Sequence, residues 1–286
     1  MKSSISDQKQ IFKQASDPVK PHWIQGLREE KVEEEKQKTQ KSKYQLLLLA
    51  NLKKEIEKAK TLSPKKIAAD IRKIGFSCQF CGKCCKRAYG DNRVLLLPEE
   101  IKKIREYTGI LDSEIASPLL PDCFSDCDSY AFKSAGVIKK LFSKDSELTE
   151  EEIDSEGNIH TFGWMLRRKN NGDCGFIDGE TNKCRIYPVR SRLCSTYPFY
   201  LEAAKLQTCE CEGLGFPISE EESLKMAKAV LSRYLVELED MLALYEKFEN
   251  FETGEKGPEI ARKNAEAGFL SCIVHDSNGT FRIKYN

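Results

Sequence analysis

Apolar residues fall at helical spacing in some stretches of the chain and alternate in others. Between Tyr44 and Leu62, the residues Leu49, Leu52, Ile56 and Ala59 make one helical face. The preceding stretch, Leu27 to Lys43, is mostly Glu, Lys and Gln. Together the two are expected to form one long helix, either a partner-binding arm or a solvated helix packed only at its C-terminal half. Residues 1–26 show no clear period and read as a loosely ordered lead-in. A second helix is punctuated at both ends: Ser63 can cap it, Pro64 suits its first turn and Gly75 its stop. Pro98 opens another that runs to about Gly109.

Residues 112–158 carry Cys123 and Cys127, a Lys-rich apolar stretch and an acidic segment near Glu147 to Asp154, and read as an insertion. Residues 160–168 read as a strand. Cys174 to Ile186 reads as a strand, a turn at Asp178 to Asn182 and a return strand, with Tyr200 to Thr208 as a further strand. Ser219 and Glu222 form a capping box for a last helix, whose apolar residues include Leu224, Leu231, Leu235, Leu238, Met241, Leu242, Tyr245 and Phe248. Phe281, Ile283 and Tyr285 alternate as a final strand, and no internal repeat is visible. The expected class is α+β, mainly helical, with a small irregular sheet and hairpin region around a cysteine-ligated metal core. The expected division is an N-terminal helical arm (1–62), a cysteine-cluster domain (63–217, with 112–158 as the insertion) and a C-terminal helix and tail packing on it (218–286).

Composition narrows the function. Lys and Arg (46) nearly cancel Asp and Glu (45), so charge gives no argument for nucleic acid or an anionic membrane, and the expected partner is another protein. The first residues lack an apolar core and a cleavage site, and the longest apolar run, Leu46 to Ala50, is far too short to span a bilayer. A cytoplasmic protein is expected, and there thiols stay reduced. Twelve cysteines in that compartment point to a metal more than to disulfides or to buried free thiols.

Their spacing sharpens this. In Cys78-Gln-Phe-Cys81-Gly82-Lys-Cys84-Cys85, overlapping C-x-x-C steps let thiolates converge from one loop, and Gly82 gives that loop the freedom to wrap. Adjacent side chains of an extended segment point apart, so Cys84 and Cys85 can serve different centres, or one can support without ligating. Cys174, Cys184, Cys194 and Cys211 bring the set to eight, enough for two four-thiolate sites. Lys83, Lys86, Arg87, Lys183, Arg185, Arg190 and Arg192 lie near these thiols in sequence and can lower their pKa values. Cys209 can substitute for Cys211. Cys123 and Cys127 are one helical turn apart but too few for a third centre. Cys272 and His275 read as a core thiol and a surface histidine, and His160 and His22 as structural or exposed.

Cys78–Cys85, Val94-Leu-Leu-Leu-Pro-Glu-Glu-Ile101, Cys184-Arg-Ile-Tyr187-Pro-Val-Arg190 with Cys194, and Cys211-Glu-Gly213 resemble the YkgJ family, the CxxCxxCC domain described as zinc- or iron-chelating. The family usually shows Arg-Pro and then Cys-Arg where this chain has Arg190-Ser191 and Cys194-Ser195. The resemblance extends to flagellin lysine-N-methylases, and through them implies iron–sulfur chemistry and, by analogy alone, S-adenosylmethionine. The phosphate-loop, dinucleotide, H-E-x-x-H and radical C-x-x-x-C-x-x-C patterns are missing. Three readings remain: an accessory metal or redox protein, an iron–sulfur enzyme such as a lysine-methylase-like modifier with Tyr187, Arg190, Tyr197 and Asp178 as its polar groups, and a structural zinc module. Iron–sulfur is expected ahead of zinc, from the tight ferredoxin-like run and the family association.

Overall fold

A computed structural model of the chain describes residues 41–121, 148–169 and 171–285. Helix α1 (Lys43–Lys60) starts at a reciprocal cap, in which Gln45 N–H donates to Ser42 Oγ at 3.2 Å and Ser42 N–H to Gln45 Oε1 at 3.2 Å. Helix α2 (Pro64–Ile74) begins at Pro64 and stops at Gly75, as the sequence signals, although Ser63 makes no side-chain cap. Both lie on the 28-residue helix α6 (Glu220–Lys247), whose Ser219–Glu222 capping box is formed. The expected apolar faces meet there: Leu52, Ile56 and Ala59 of α1, Ile67 and Ile71 of α2, and Val230, Tyr234, Leu238 and Met241 of α6 are all buried. The single helix expected over Leu27–Leu62 does not run through Ser42, whose extended backbone and cap start α1 afresh; residues 27–40 lie outside the described residues.

A second core sits under the middle of the chain. Strand β1 (Leu95–Leu96) and strand β2 (Ala116–Pro118) flank β4 (Trp164–Leu166), both antiparallel to it. Helix α3 (Pro98–Thr108), ended by a left-handed Gly109, and the short α4 (Asp112–Ile115) cover this sheet through Ile101, Ile104 and Ile115. The single strand expected at 160–168 is two strands, β3 (Ile159–Phe162) and β4, separated at Gly163 and assigned to different sheets. Only the ends of the expected insertion are described, and Cys123 and Cys127 lie outside the described residues.

The third core is C-terminal. β3 pairs in parallel with β7 (Leu270–Asp276), which pairs antiparallel with β8 (Gly279–Tyr285). The alternation at Phe281 to Tyr285 thus does form a strand. Helix α7 (Gly257–Glu266), absent from the sequence expectation, packs Ala261 and Ala265 against Ile159 and Leu270. A short helix α5 (Arg192–Thr196) and the hairpin β5 (Phe199–Glu202) and β6 (Lys205–Thr208) complete the chain and lie against α6. The class is α+β, helices dominating, with small sheets. No helix among the described residues is long and apolar enough to cross a membrane.

Candidate metal centre

The first cysteine loop leaves α2 at Gly75 and runs beside the segment that follows Cys211. Ser77 N–H donates to the Gly213 carbonyl at 2.9 Å, Gly215 N–H to that of Gly75 at 3.1 Å, and Phe76 bridges Leu214. These contacts need a bare backbone at Gly213, where a Cβ would stand 2.3 Å from the Ser77 carbonyl oxygen. An ion pair between Lys83 and Glu212 ties the same two segments. Gly82, at φ +70°, turns the loop into a 3₁₀ turn over Lys83–Cys85. Cys78, Cys81 and Cys211 are therefore neighbours although the chain separates them widely.

The end of that loop faces the other way, into the second core. The Cys85 carbonyl accepts from Cys174 N–H at 2.8 Å, and the side chains of Cys85, Cys174 and Cys184 pack with Leu166, Phe176, Ile177 and Ile186. The hairpin expected over 174–186 is not a regular ladder. One bridge pairs Ile177 with Cys184, and turns held by Asp178 N–H to Lys183 O (2.9 Å) and Asn182 N–H to Asp178 O (3.0 Å) supply the rest. Cys174 and Cys184 both pack into the second core. Cys194 sits on α5, where Ser191 Oγ accepts its N–H at 3.2 Å, and α5 rests on α6.

Nine thiols line one cavity of about 430 Å³: Cys78, Cys81, Cys84, Cys85, Cys174, Cys184, Cys194, Cys209 and Cys211. All eight ligands expected from the sequence are on its wall. Cys209, weighed only as a replacement for Cys211, is the ninth. Its signal was present: residues two apart in an extended segment face one side, so Cys209 and Cys211 share a face. Among the described residues no three His, Cys, Asp or Glu side chains already stand at the spacing of one ion's ligands. The thiols surround an open space. Cys84 and Cys85 do not diverge as an extended segment would make them; in the 3₁₀ turn their sulfurs are 3.9 Å apart.

The electrostatics differ around the wall. A hydrogen bond with Cys85 lowers Cys84 to about 7 and also lowers Cys174. Cys85, hydrogen-bonded to Cys174 and Cys84, is raised. Burial raises Cys184 and Cys211, and pushes Cys194 up to about 12. Of the basic residues singled out, Arg190 lowers both Cys84 and Cys184, from a guanidinium stacked 3.7 Å from the Tyr187 ring centre. Arg192 instead binds Glu99 at 2.5 Å, and Arg185 donates to the Gly175 carbonyl at 2.8 Å.

The other expected polar groups have structural partners. Asp178 Oδ1 accepts from Thr181 N–H and Oγ1 at 2.8 and 2.7 Å, and the Tyr197 hydroxyl, whose pKa burial raises, donates to the Glu210 carbonyl. Cys272 is a core thiol, as expected. His275 is not at the surface: it is buried, with its Nε2 2.8 Å from Nδ1 of the equally buried His160. His22 lies outside the described residues.

The donor set fits a soft, thiolate-binding metal. Sulfur predominates, the thiols share one cavity, and Arg190 offsets part of the ligand charge. Residues 77–214, just under half of the chain, match a protein family described as "Putative zinc- or iron-chelating domain". No curated protein and no solved structure matches the chain.

Proposed function

From the match of residues 77–214 to the CxxCxxCC family, which the YkgJ resemblance fits, we propose that the chain is an accessory metal protein of the cytoplasm that holds an iron–sulfur centre for a protein partner. The observation that carries this reading is the gathering of nine thiols from four stretches of chain on one cavity wall. Four thiolates around one zinc ion close to about 2.3 Å from it and leave little space between them. Thiols spread around about 430 Å³ suit a polynuclear group better.

An iron–sulfur group in this cavity would supply one-electron transfer. The chain's own residues would do the rest. Cys78, Cys81, Cys84, Cys85, Cys174, Cys184, Cys194 and Cys211 would hold the metal, with Cys209 beside them. Arg190, pinned on Tyr187, would favour the thiolate form of Cys84 and Cys184. The apolar side chains around Cys174 would keep water from that part of the wall. The accessory reading is preferred over an enzymatic one because Tyr197 and Asp178 are engaged in backbone and turn contacts, not paired as nucleophile and base.

The enzymatic reading draws on one feature: the cavity volume lies within the range of small-molecule sites. Metal analysis and a visible spectrum of anaerobically purified protein decide the metal. Brown protein with iron and acid-labile sulfide is the expected result, and colourless protein with stoichiometric zinc would overturn the iron–sulfur assignment. Measured S-adenosylmethionine binding would move the reading toward a modifying enzyme.

A further inference from the structure

The nine thiols divide by what they pack against. Cys85, Cys174 and Cys184 belong to the second core, and Cys194 beside them is held on a helix lying on α6. Cys211 belongs to the first core, and the backbone pairing of Phe76 and Ser77 with Gly213 and Leu214 brings Cys78 and Cys81 to it. Cys84 stands where the two groups meet. The exposed thiols lie on the first loop, and the buried Cys174 lies in the second core. Cys78 and Cys81 are exposed and Cys211 is half-buried, whereas Cys174 is buried and Cys85, Cys184 and Cys194 are half-buried.

We propose that the cavity carries two unlike centres: an inner one on Cys85, Cys174, Cys184 and Cys194 that keeps its metal, and an outer one around Cys78, Cys81 and Cys211 that exchanges its metal with an incoming thiolate or nitrogen donor. This rests on the metal-binding reading above and adds to it a place where metal enters and leaves. The physical reason is the cost of opening. Cys78 and Cys81 share one short loop, so releasing them needs only that loop to move. The inner thiols come from three separate stretches, and Cys85, Cys174 and Cys184 are packed into the second core, so releasing these three needs part of that core to open. In the exchange, each protein thiolate that lets go is replaced by one donor atom of the incoming molecule. The freed thiolate takes up a proton, and no electron changes hands.

The test uses the full, metal-loaded chain under nitrogen with excess EDTA. Released metal is followed in time, and thiols are trapped with iodoacetamide and located by mass spectrometry. Two phases at least tenfold apart in rate are expected, with Cys78 and Cys81 alkylated in the fast phase and Cys174 and Cys194 protected until the slow one. The Cys78→Ser/Cys81→Ser double variant should lose the fast phase and keep the slowly released metal. A single phase with all thiols alkylated together, or a double variant that holds no metal, overturns the proposal while leaving the metal-binding reading intact. A chain that takes up no metal overturns both.

Discussion

A chain of polar groups runs from the half-buried Asp154 through the buried His160 and His275 to the exposed Thr280, with contacts of 3.1, 2.8 and 3.1 Å. The Phe251 ring stacks on His160 with centroids 3.4 Å apart. Burial and then His160 push His275 down to about 3; burial also lowers His160, against the opposing pull of Asp154. Other charges nearby include Asp276, on the same strand as His275, and the Arg282–Glu156 pair. Because the folded-state pKa values lie below the unfolded value of about 6.5, the unfolded chain takes up protons first as pH falls. The stability these neutral imidazoles allow is present in full above about pH 6.5 and is lost as pH falls toward 3. For His275 the slope approaches about 1.4 kcal/mol per pH unit at most. Urea titrations of the wild type and of His275→Gln at several pH values between 6.5 and 4 should give a shallower pH slope for the variant, and equal slopes would refute the assignment. Nothing in a C-x-x-H spacing announces this pairing. It arises because β3 and β7 lie in register, a contact between residues far apart in sequence.

Among the elements, the strongest local signals held. Pro64 and Gly75, Pro98 and Gly109, and the Ser219–Glu222 box all mark helix ends that form where expected. The elements that departed from expectation depend on tertiary context. Helix α7 offers only Ala261 and Ala265 as buried side chains beyond Gly257, too weak an apolar face to read in advance. The 174–186 segment becomes turns because its cysteines and apolar residues pack into a core instead of extending a sheet. The two cysteine regions could be expected to meet, but the crossing that joins them, Ser77 over Gly213, could not be read from spacing. That crossing is open to test. A Cβ at Gly213 would meet a backbone oxygen at 2.3 Å, so the chain must shift. Gly213→Ala should cost about 1–3 kcal/mol and separate Cys78 and Cys81 from Cys211, lowering the metal bound per chain while far-UV circular dichroism stays close to wild type. Unchanged metal content would show that the crossing does not hold the site.

At the scale of the whole molecule, the described residues form three small cores, and the site lies between two of them instead of on one large core. The helical core of α1, α2 and α6 carries Cys211, the second core carries Cys85, Cys174 and Cys184, and the C-terminal core joins the second through β3 and β4. The cavity lies where the first two meet, so metal bound on its wall would hold together segments far apart in the chain, and metal binding and folding would be coupled. The number of thiols was legible from composition and their frame from spacing. Their common cavity was not, because it is set by how two cores dock.

The most direct measurement is X-ray absorption at the edge of the metal bound to the full chain. The account predicts a first coordination shell made of sulfur, at about 2.3 Å. A first shell made of nitrogen and oxygen would contradict it.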